Sequence, residues 1–153
     1  MADITPTGGP SGVSFEHREV RITCTEAVAV GQVVRLTLAS GGYSACTLAD
    51  TADGDGTPDR IIGVALEAVT AGADGRIALK GILEVKCHTD LDAGEIGVVS
   101  DTAGQLTAAP TNPTDAGTAY IKPVAIALEN TATTGDLTSC LFDGISGFAM
   151  ANN

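Results

Sequence analysis

The segment VRITCTEAVAVGQVVRLTL, residues 20–38, recurs in altered form as LEVKCHTDLDAGEIGVVSD, residues 83–101. Residue 83 lies 63 positions after residue 20, and at this offset Cys24 aligns with Cys87. Positions predicted to face inward keep their apolar character between the copies, whereas outward positions change charge. Matched residues at a nearly constant offset are typical of repeat architectures, so the chain is predicted to contain an internal duplication.

Apolar and polar residues alternate with a period of two in both copies, which is typical of half-buried β-strands. Val34, Leu36 and Leu38 are predicted to share one face of a strand, and each such run ends at glycine, aspartate or proline. We therefore predict an all-β fold whose two tandem repeats, each of about 60 residues, share one core because units of that size are individually marginal. The predicted parts are an N-terminal arm (1–19), a β-domain (20–145, with repeats 20–82 and 83–145) and a C-terminal tail (146–153).

The composition favours small-residue β-structure over a pocket with aromatic walls. Alanine, glycine and threonine account for 61 of the 153 residues, whereas Phe, Tyr and Trp together account for 5. Large aromatic rings supply much of the buried area in most domains, so their scarcity weakens the predicted core. Oligomerisation is an expected remedy for so small a core.

The charge balance argues against nucleic-acid binding. Lys and Arg number 8 against 19 Asp and Glu, which gives a net charge of -11 that would repel a phosphate backbone. The N-terminal sequence has neither a basic start nor an apolar stretch, so we expect no signal peptide. Nothing approaches the roughly 20 apolar residues of a membrane span, so a soluble protein without a membrane partner is expected.

The sequence contains no recognisable catalytic or cofactor motif, and we expect neither enzymatic activity nor a cofactor. Its four cysteines are far apart, without CxxC spacing, and are predicted to be buried free thiols rather than zinc ligands. His17 and His88 are predicted to be solvated surface residues.

One acidic loop, LADTADGDGTPDR, raises the possibility of a cation site. Asp53, Asp55 and Asp59 could present carboxylates to calcium in a glycine-bent turn. The loop lacks the order of an EF-hand, and the second copy carries only Asp115 at the corresponding place. We therefore favour an exposed acidic turn and predict no metal site.

Both termini leave two interpretations open. The N-terminal arm is either disordered or lies extended on a partner's strand edge, with Val13 and Phe15 as anchors. The C-terminal GISGFAMANN is apolar for a terminus, through Ile145, Phe148 and Met150. It either tucks under its own domain or lies across a neighbouring subunit.

A family resemblance follows from four successive stretches that cover roughly residues 20–144. They are AVAVGQVVRLTLASGGYSACTL, DRIIGVALEAVTAGADGRIALKG, LDAGEIGVVSDTAGQLT and VAIALENTATTGDL. This succession resembles the small capsid decoration proteins of tailed bacteriophages, also called cement or head-stabilising proteins.

The resemblance implies a body of the β-tulip or β-clip type and a homotrimer on the outer surface of the virion capsid. The implied partner is the major capsid protein, the implied role is stabilisation of the head against internal DNA pressure, and the protein would be made in the host cytoplasm. Its N-terminal arm would contact the capsid through Ile4, Pro6, Val13 and Phe15.

Two other functions remain open at this point. A fibre or cell-surface adhesion module that recognises glycans would need clustered exposed aromatic side chains. A small trimeric nucleotide hydrolase of the β-clip type would need phosphate-binding and acidic motifs, which the sequence lacks.

Overall fold

A computed structural model describes residues 16–39, 42–53, 60–110 and 122–148. Within these ranges the protein is all-β, with one short 3-10 turn at Thr51–Asp53, which confirms the predicted fold class. The described residues hold no helix with the length and apolar character needed to cross a membrane. The strands are β1 (Arg18–Cys24), β2 (Val33–Ala39), β3 (Gly42–Leu48), β4 (Ile62–Ala65), β5 (Asp74–Cys87), β6 (Ile96–Val99), β7 (Leu106–Ala108), β8 (Ala125–Ala127) and β9 (Asp136–Asp143).

The nine strands form one sheet that closes on itself twice. Strands β1, β3, β2, β4 and β5 follow one another in that order, and β1 also pairs with β5, which closes a first ring. Strands β5, β7, β6, β8 and β9 form a second ring, which closes through β5 and β9. Both rings therefore share β5, which is 14 residues long.

Strand β5 changes neighbours halfway along its length, at Lys80. This residue pairs with Arg18 of β1 and also with Asp143 of β9, so β1 and β9 lie on opposite edges of β5. Strands β1 and β4 both pair with the first half of β5, so they too lie on opposite edges. It follows that β4 and β9 lie end to end along the same edge.

The junction where β4 meets β9 is tightly packed, and we call it the seam. The Ile62 N–H donates to the Gly144 carbonyl at 3.0 Å, and the Gly144 N–H donates to the Leu79 carbonyl at 2.9 Å. A Cβ atom at position 144 would overlap the carbonyl oxygen of Ile62. Only glycine therefore fits where the two strand ends meet.

A buried lysine satisfies three backbone carbonyls at the seam. The Lys122 ammonium donates to the carbonyl oxygens of Arg60 at 2.7 Å, Gly144 at 2.8 Å and Ile145 at 2.7 Å. Arg60 precedes β4, whereas Gly144 and Ile145 follow β9. Because a buried charge is stable only when it is well hydrogen-bonded, Lys122 ties both halves of the chain together at this point.

The two rings repeat the same pairing register. In the first ring β2 pairs with β4 and β4 with β5, and in the second ring β6 pairs with β8 and β8 with β9. In each ring, three paired residues, one on each strand, form a row on the outer side of the ring. Equivalent residues of the two rows are 63 (33 to 96), 62 (64 to 126) and 63 (78 to 141) positions apart in the chain. The first row is Val33, Val64 and Ala78, and the second row is Ile96, Ile126 and Leu141.

One hydrophobic cluster contains residues from both halves, as expected for repeats that share a core. It joins Val33, Ile62 and Val64 from the first half to Leu106 and Phe142 from the second. A smaller cluster, with Cys24, Leu36 and Ile77 among its members, fills the first ring. Three consecutive residues of β5 are buried because Ile77 and Leu79 face this smaller cluster while Ala78 packs into the shared one.

Three details differ from the sequence prediction. Strand β1 begins at Arg18, two residues before the predicted start of the body. Strand β5 continues through Gly81 instead of ending there; this glycine has a φ of +141°, and a side chain on it would meet His17. Leu38 is exposed rather than on the buried face, because the β2–β3 register shifts between Thr37 and Leu38.

The four cysteines are buried and free, as predicted, and they lie in two close pairs. The Sγ atoms of Cys24 and Cys46 are 3.2 Å apart, and those of Cys87 and Cys140 are 4.0 Å apart. Burial, together with the neighbouring Cys24 thiol, raises the pKa of Cys46 to about 12. A raised pKa leaves little of the reactive thiolate at neutral pH.

We predict that the native protein does not react with 5,5′-dithiobis(2-nitrobenzoate) at pH 8, whereas the protein unfolded in guanidinium chloride releases one equivalent of thionitrobenzoate for each of the 4 cysteines. An Ala68→Cys variant, whose new thiol would stand on an exposed turn, serves as the reactive control. Rapid reaction of the native wild-type protein would contradict the buried placement.

Replacing the seam lysine should destabilise the whole body. Lys122→Met removes the donor of three hydrogen bonds, so the free energy of unfolding should fall by about 3 kcal/mol, because buried acceptors left without a donor are costly. Urea denaturation measures this change. Lys86→Met, at a partly exposed position of β5, should shift the free energy of unfolding by less than about 0.5 kcal/mol. Equal effects of the two substitutions would refute the role of Lys122.

Candidate interaction surface

The predicted capsid-contact residues Ile4, Pro6, Val13 and Phe15 lie outside the described residues. The structure does show where the segment that carries them joins the body. Glu16 and His17 precede β1, and the His17 ring lies against Gly81 in the middle of β5. The N-terminal arm therefore leaves the body beside the strand that both rings share.

A small network of charges surrounds this point. The Arg76 guanidinium donates to both carboxylate oxygens of Glu19, from Nη2 at 2.9 Å and from Nε at 3.2 Å. The His17 Nε2 atom lies 3.1 Å from the same carboxylate. The hydrogen bonds from Arg76 and then His17 lower the pKa of Glu19, and Glu19 in turn raises the pKa of Arg76. These partners fix the start of β1 against β5.

The acidic loop is only partly described. Asp53 ends the 3-10 turn, whereas Asp55, Asp59 and Asp115 lie outside the described residues. Within the described ranges, no group of three or more His, Cys, Asp or Glu residues is placed to hold a metal ion. The choice between a cation site and an exposed turn therefore stays a prediction.

The two histidines lie at the surface, as predicted. His17 contacts Glu19, and His88 Nδ1 lies 3.2 Å from the Asp90 carboxylate. Partial burial tends to raise the pKa of Asp90, but hydrogen bonds from the Thr107 hydroxyl and the Ala108 N–H, together with His88, lower it overall. Each histidine therefore lies within contact distance of one exposed carboxylate.

The C-terminal segment folds back onto its own body as far as it is described. Ile145 packs against the cluster inside the first ring, and the Phe148 N–H donates to the Pro123 carbonyl at 2.8 Å. Up to Phe148 this placement matches the alternative in which the tail tucks under its own domain. Met150 lies outside the described residues.

A shallow cavity of about 390 Å³ lies between the β1–β2 and β4–β5 connections. An isolated bridge between Val28 and Val69 holds these connections together. Alanine and valine supply most of the lining, and Gln32 and Thr70 supply its polar side chains. Such a lining offers shape and apolar contact but no titratable group.

Exposed apolar side chains also lie on the outside of the second ring, around the hydrogen-bonded side chains of Glu84 and Ser139, and we call this set the outer patch. Ile82 of β5, Leu128 after β8 and Leu137 of β9 are 61%, 49% and 45% exposed. Ile82 pairs with Leu141 of the half-buried second row, and Leu128 lies beside Ser139 of β9. The outer patch consists of Ile82, Leu128, Leu137 and the second row.

The sequence analysis missed the outer patch although a signal was present. In SCLFD the residues Cys140, Leu141 and Phe142 are consecutive and apolar, so one of them must face outward in a strand. Cys140 and Phe142 face the core, which leaves Leu141 on the outside.

A second exposed apolar site lies at the end of the β2–β3 hairpin, and we call it the hairpin tip. Leu38 and Tyr43 pair across the two strands and are 66% and 42% exposed. Strand β3 pairs with β1 only at Ala45 and Cys46, so the rest of the hairpin stands away from β1.

Comparison with known proteins gives a likeness in fold only. No protein-family model matches this sequence, and no curated protein matches it. Among solved structures, the N base of the head fiber protein gp8.5 of bacteriophage phi29 is similar, with a TM-score of 0.57 and 14% sequence identity. The match covers 88% of this chain and 100% of that one. The likeness is one of overall fold.

Proposed function

We propose that this chain is a structural protein of a tailed-phage head. It binds the outer surface of the shell, contacts the major capsid protein and stabilises the shell against the pressure of the packaged DNA. It acts as a homotrimer, on the virion, and has no enzymatic role. This proposal joins the family resemblance of the sequence to the structural neighbour.

The observation that carries the proposal is the likeness of the fold to the phi29 head fiber base. That likeness extends over the whole of the neighbour's chain. It is a likeness of the backbone fold, whereas the resemblance to decoration proteins rests on short stretches of sequence. Two independent kinds of comparison therefore favour a protein of the phage head.

The surface chemistry supports a binding role. The outer patch and the hairpin tip are apolar, and the described cavity is lined mainly by alanine and valine. The net charge of -11 keeps such a protein soluble while it carries exposed apolar groups. Contact surfaces rather than converging acid and base groups are what the described residues offer.

Shell stabilisation needs several contacts at once rather than one strong contact. A trimer that engages several shell subunits makes each further contact intramolecular, which raises the overall affinity by orders of magnitude. The N-terminal arm leaves the body at the β1 edge of β5, whereas the seam lies on the opposite edge of the same strand. Bending or removing the arm should therefore leave the rings intact.

A direct test is co-sedimentation of the purified protein with expanded, emptied heads that lack it. We expect saturable binding and a higher temperature of head disruption in the presence of the protein. Heads that neither bind the protein nor gain stability would refute the proposal.

The role of the arm is tested with a chain that lacks residues 1–15. The truncated protein should keep its circular dichroism spectrum and its oligomeric state but bind heads at least 10-fold more weakly, which corresponds to about 1.4 kcal/mol. A double variant, Val13→Ser with Phe15→Ser, should reproduce most of that loss, and Thr5→Ser with Thr7→Ser is the matched control. Dissociation of the oligomer on truncation would show that the arm serves self-assembly instead.

A fibre or adhesion module that recognises glycans is the second candidate, because the structural neighbour is part of a fiber. Glycan binding generally relies on exposed aromatic faces. Of the described aromatic residues, Phe142 is fully buried, Phe148 is half-buried and Tyr43 is exposed. Binding on a glycan array that is lost in Tyr43→Ala would favour this candidate over shell decoration.

A further inference from the structure

Two cysteines face each other directly where the first ring closes between β1 and β3. Cys24 ends β1, and its partner in the parallel β1–β3 ladder is Cys46. Neighbouring strands of a sheet lie about 4.8 Å apart, which is within the range of about 4.4–6.8 Å between Cα atoms that a disulfide spans. The two Sγ atoms lie 3.2 Å apart, so both side chains also point toward each other. The backbone at this place therefore fits a disulfide between Cys24 and Cys46.

Hydrogen bonds hold both backbones in this position. The Thr25 N–H donates to the Cys46 carbonyl at 2.9 Å, which fixes the end of β1 against β3. Cys24 is also tied to the β4–β5 connection, because its N–H donates to the Ala73 carbonyl at 2.8 Å and its carbonyl accepts from the Gly72 N–H at 2.7 Å. A bridge can therefore form here by movement of the two side chains rather than of the strands.

The second ring has the same backbone arrangement with a different side chain. There Cys87 is the ladder partner of Leu106 in β7. The His88 N–H donates to the Leu106 carbonyl at 2.7 Å, as the Thr25 N–H does to the Cys46 carbonyl in the first ring. Leu106 is fully buried. An ordinary apolar residue thus fills the place of Cys46 in the second ring, so packing alone does not require a cysteine there.

The remaining cysteine, Cys140, lies near Cys87 but not opposite it. In the β5–β9 ladder Cys87 pairs with Asp136 and Cys140 pairs with Leu83, so the two cysteines are four positions out of register (136 against 140). Residues so far out of register have Cα atoms more than about 7 Å apart, a separation at which a disulfide needs the backbone to move. The Cys87 thiol instead donates to the Val85 carbonyl. We therefore expect Cys87 and Cys140 to stay thiols.

We propose that Cys24 and Cys46 form a disulfide when the chain folds in the presence of a disulfide oxidant such as oxidised glutathione. The thiolate of one cysteine attacks a sulfur of the oxidant and releases one glutathione thiolate, which leaves a mixed disulfide on the protein. The thiolate of the other cysteine attacks the protein sulfur of this mixed disulfide and releases the second glutathione thiolate. One S–S bond forms in the protein and one breaks in the oxidant, and the two protons of the cysteine thiols go to the two glutathione thiolates.

The bridge forms during folding because the completed fold buries both thiols. Cys24 and Cys46 have no exposed surface and belong to the cluster that fills the first ring. Thiol–disulfide exchange needs access of the oxidant to the sulfur atom, and glutathione has no access to this cluster. The exchange therefore takes place while β1 and β3 pair and before the cluster is complete.

The bridge would strengthen a short ladder of the first ring. Strand β1 pairs with β3 only at Thr23 with Ala45 and at Cys24 with Cys46. The N-terminal arm precedes β1, so a covalent link to β3 secures the strand through which a pull on the arm reaches the body. The two cysteines are 22 positions apart, and a bridge across a loop of that size raises the folding equilibrium constant on the order of 100-fold. This inference goes beyond the proposed function and does not depend on attachment to a phage head.

The test refolds the full-length protein from guanidinium chloride in a mixture of reduced and oxidised glutathione. The remaining thiols are alkylated with iodoacetamide in denaturant, and the protein is digested with trypsin for mass spectrometry. Cleavage after Arg35 separates the two cysteines, so the bridge joins fragment 22–35 to fragment 36–60. We expect this linked pair of fragments and alkylation of Cys87 and Cys140 alone. Four alkylated cysteines at every glutathione ratio, or a bridge that includes Cys87 or Cys140, would overturn the proposal.

Two variants separate a specific bridge from random pairing. Cys46→Ala should form no bridge, and the matched control, Cys87→Ala with Cys140→Ala, should form it to the same extent as the wild type. A Cys46→Ala chain that joins Cys24 to another cysteine, or a control that forms no bridge although it folds, would refute the assignment.

A comparison within the wild type needs no substitution. Urea denaturation of the bridged protein should give a folding equilibrium constant on the order of 100-fold higher than that of the same protein refolded in dithiothreitol. Equal constants would refute the stabilising role of the bridge.

The order of events is tested by adding oxidised glutathione to the folded, reduced protein. The bridge should then form at least about 10-fold more slowly than during refolding, because both thiols are buried. Equal rates in the two experiments would overturn formation during folding.

Discussion

The architecture depends on one strand that belongs to two closed rings. Strand β5 can serve both only if its neighbours change along its length, and the change takes place at Lys80. Because β1 and β9 lie on opposite edges there, β4 and β9 must meet end to end on one edge. A junction between two strand ends brings unpaired carbonyl groups together in a buried place, and buried carbonyls need donors. Gly144 provides the space at this junction, and the Lys122 ammonium provides the donors.

This arrangement also explains how a chain with few aromatic residues builds a core. Each ring alone would enclose a small volume, but the outer face of the first ring packs into the second, so residues such as Val33 and Val64 contribute to a shared cluster. Small side chains suit such close sheet packing, and Ala78 and Ala125 lie in that cluster without exposed surface. Phe142 is the largest fully buried side chain and sits beside the seam.

The surface shows how a duplicated unit acquires asymmetry. Equivalent rows of the two repeats lie in different environments, because the first repeat can dock on the second but the second has no further repeat in the described chain to dock on. An open apolar row at the end of an internal array is a natural place for contact between molecules, as the terminal faces of repeat proteins are. The acidic net charge opposes nonspecific association of such a surface with other acidic proteins.

The amino-acid sequence by itself determined the all-β class and the burial of Cys24, Cys46, Cys87 and Cys140, because the period-two alternation and the position of small apolar residues follow directly from strand geometry. The sequence also showed the offset of 63 residues between the two copies. In the structure the two copies have the same strand pairing, because Ile96 pairs with Ile126 as Val33 pairs with Val64. Only the tertiary structure decided that β5 runs through Gly81 and that the rings share it, since the choice of strand partners depends on residues far apart in the chain. It alone distinguished the buried first row from the open second row, because alternation assigns a face to a residue but cannot tell what packs against that face.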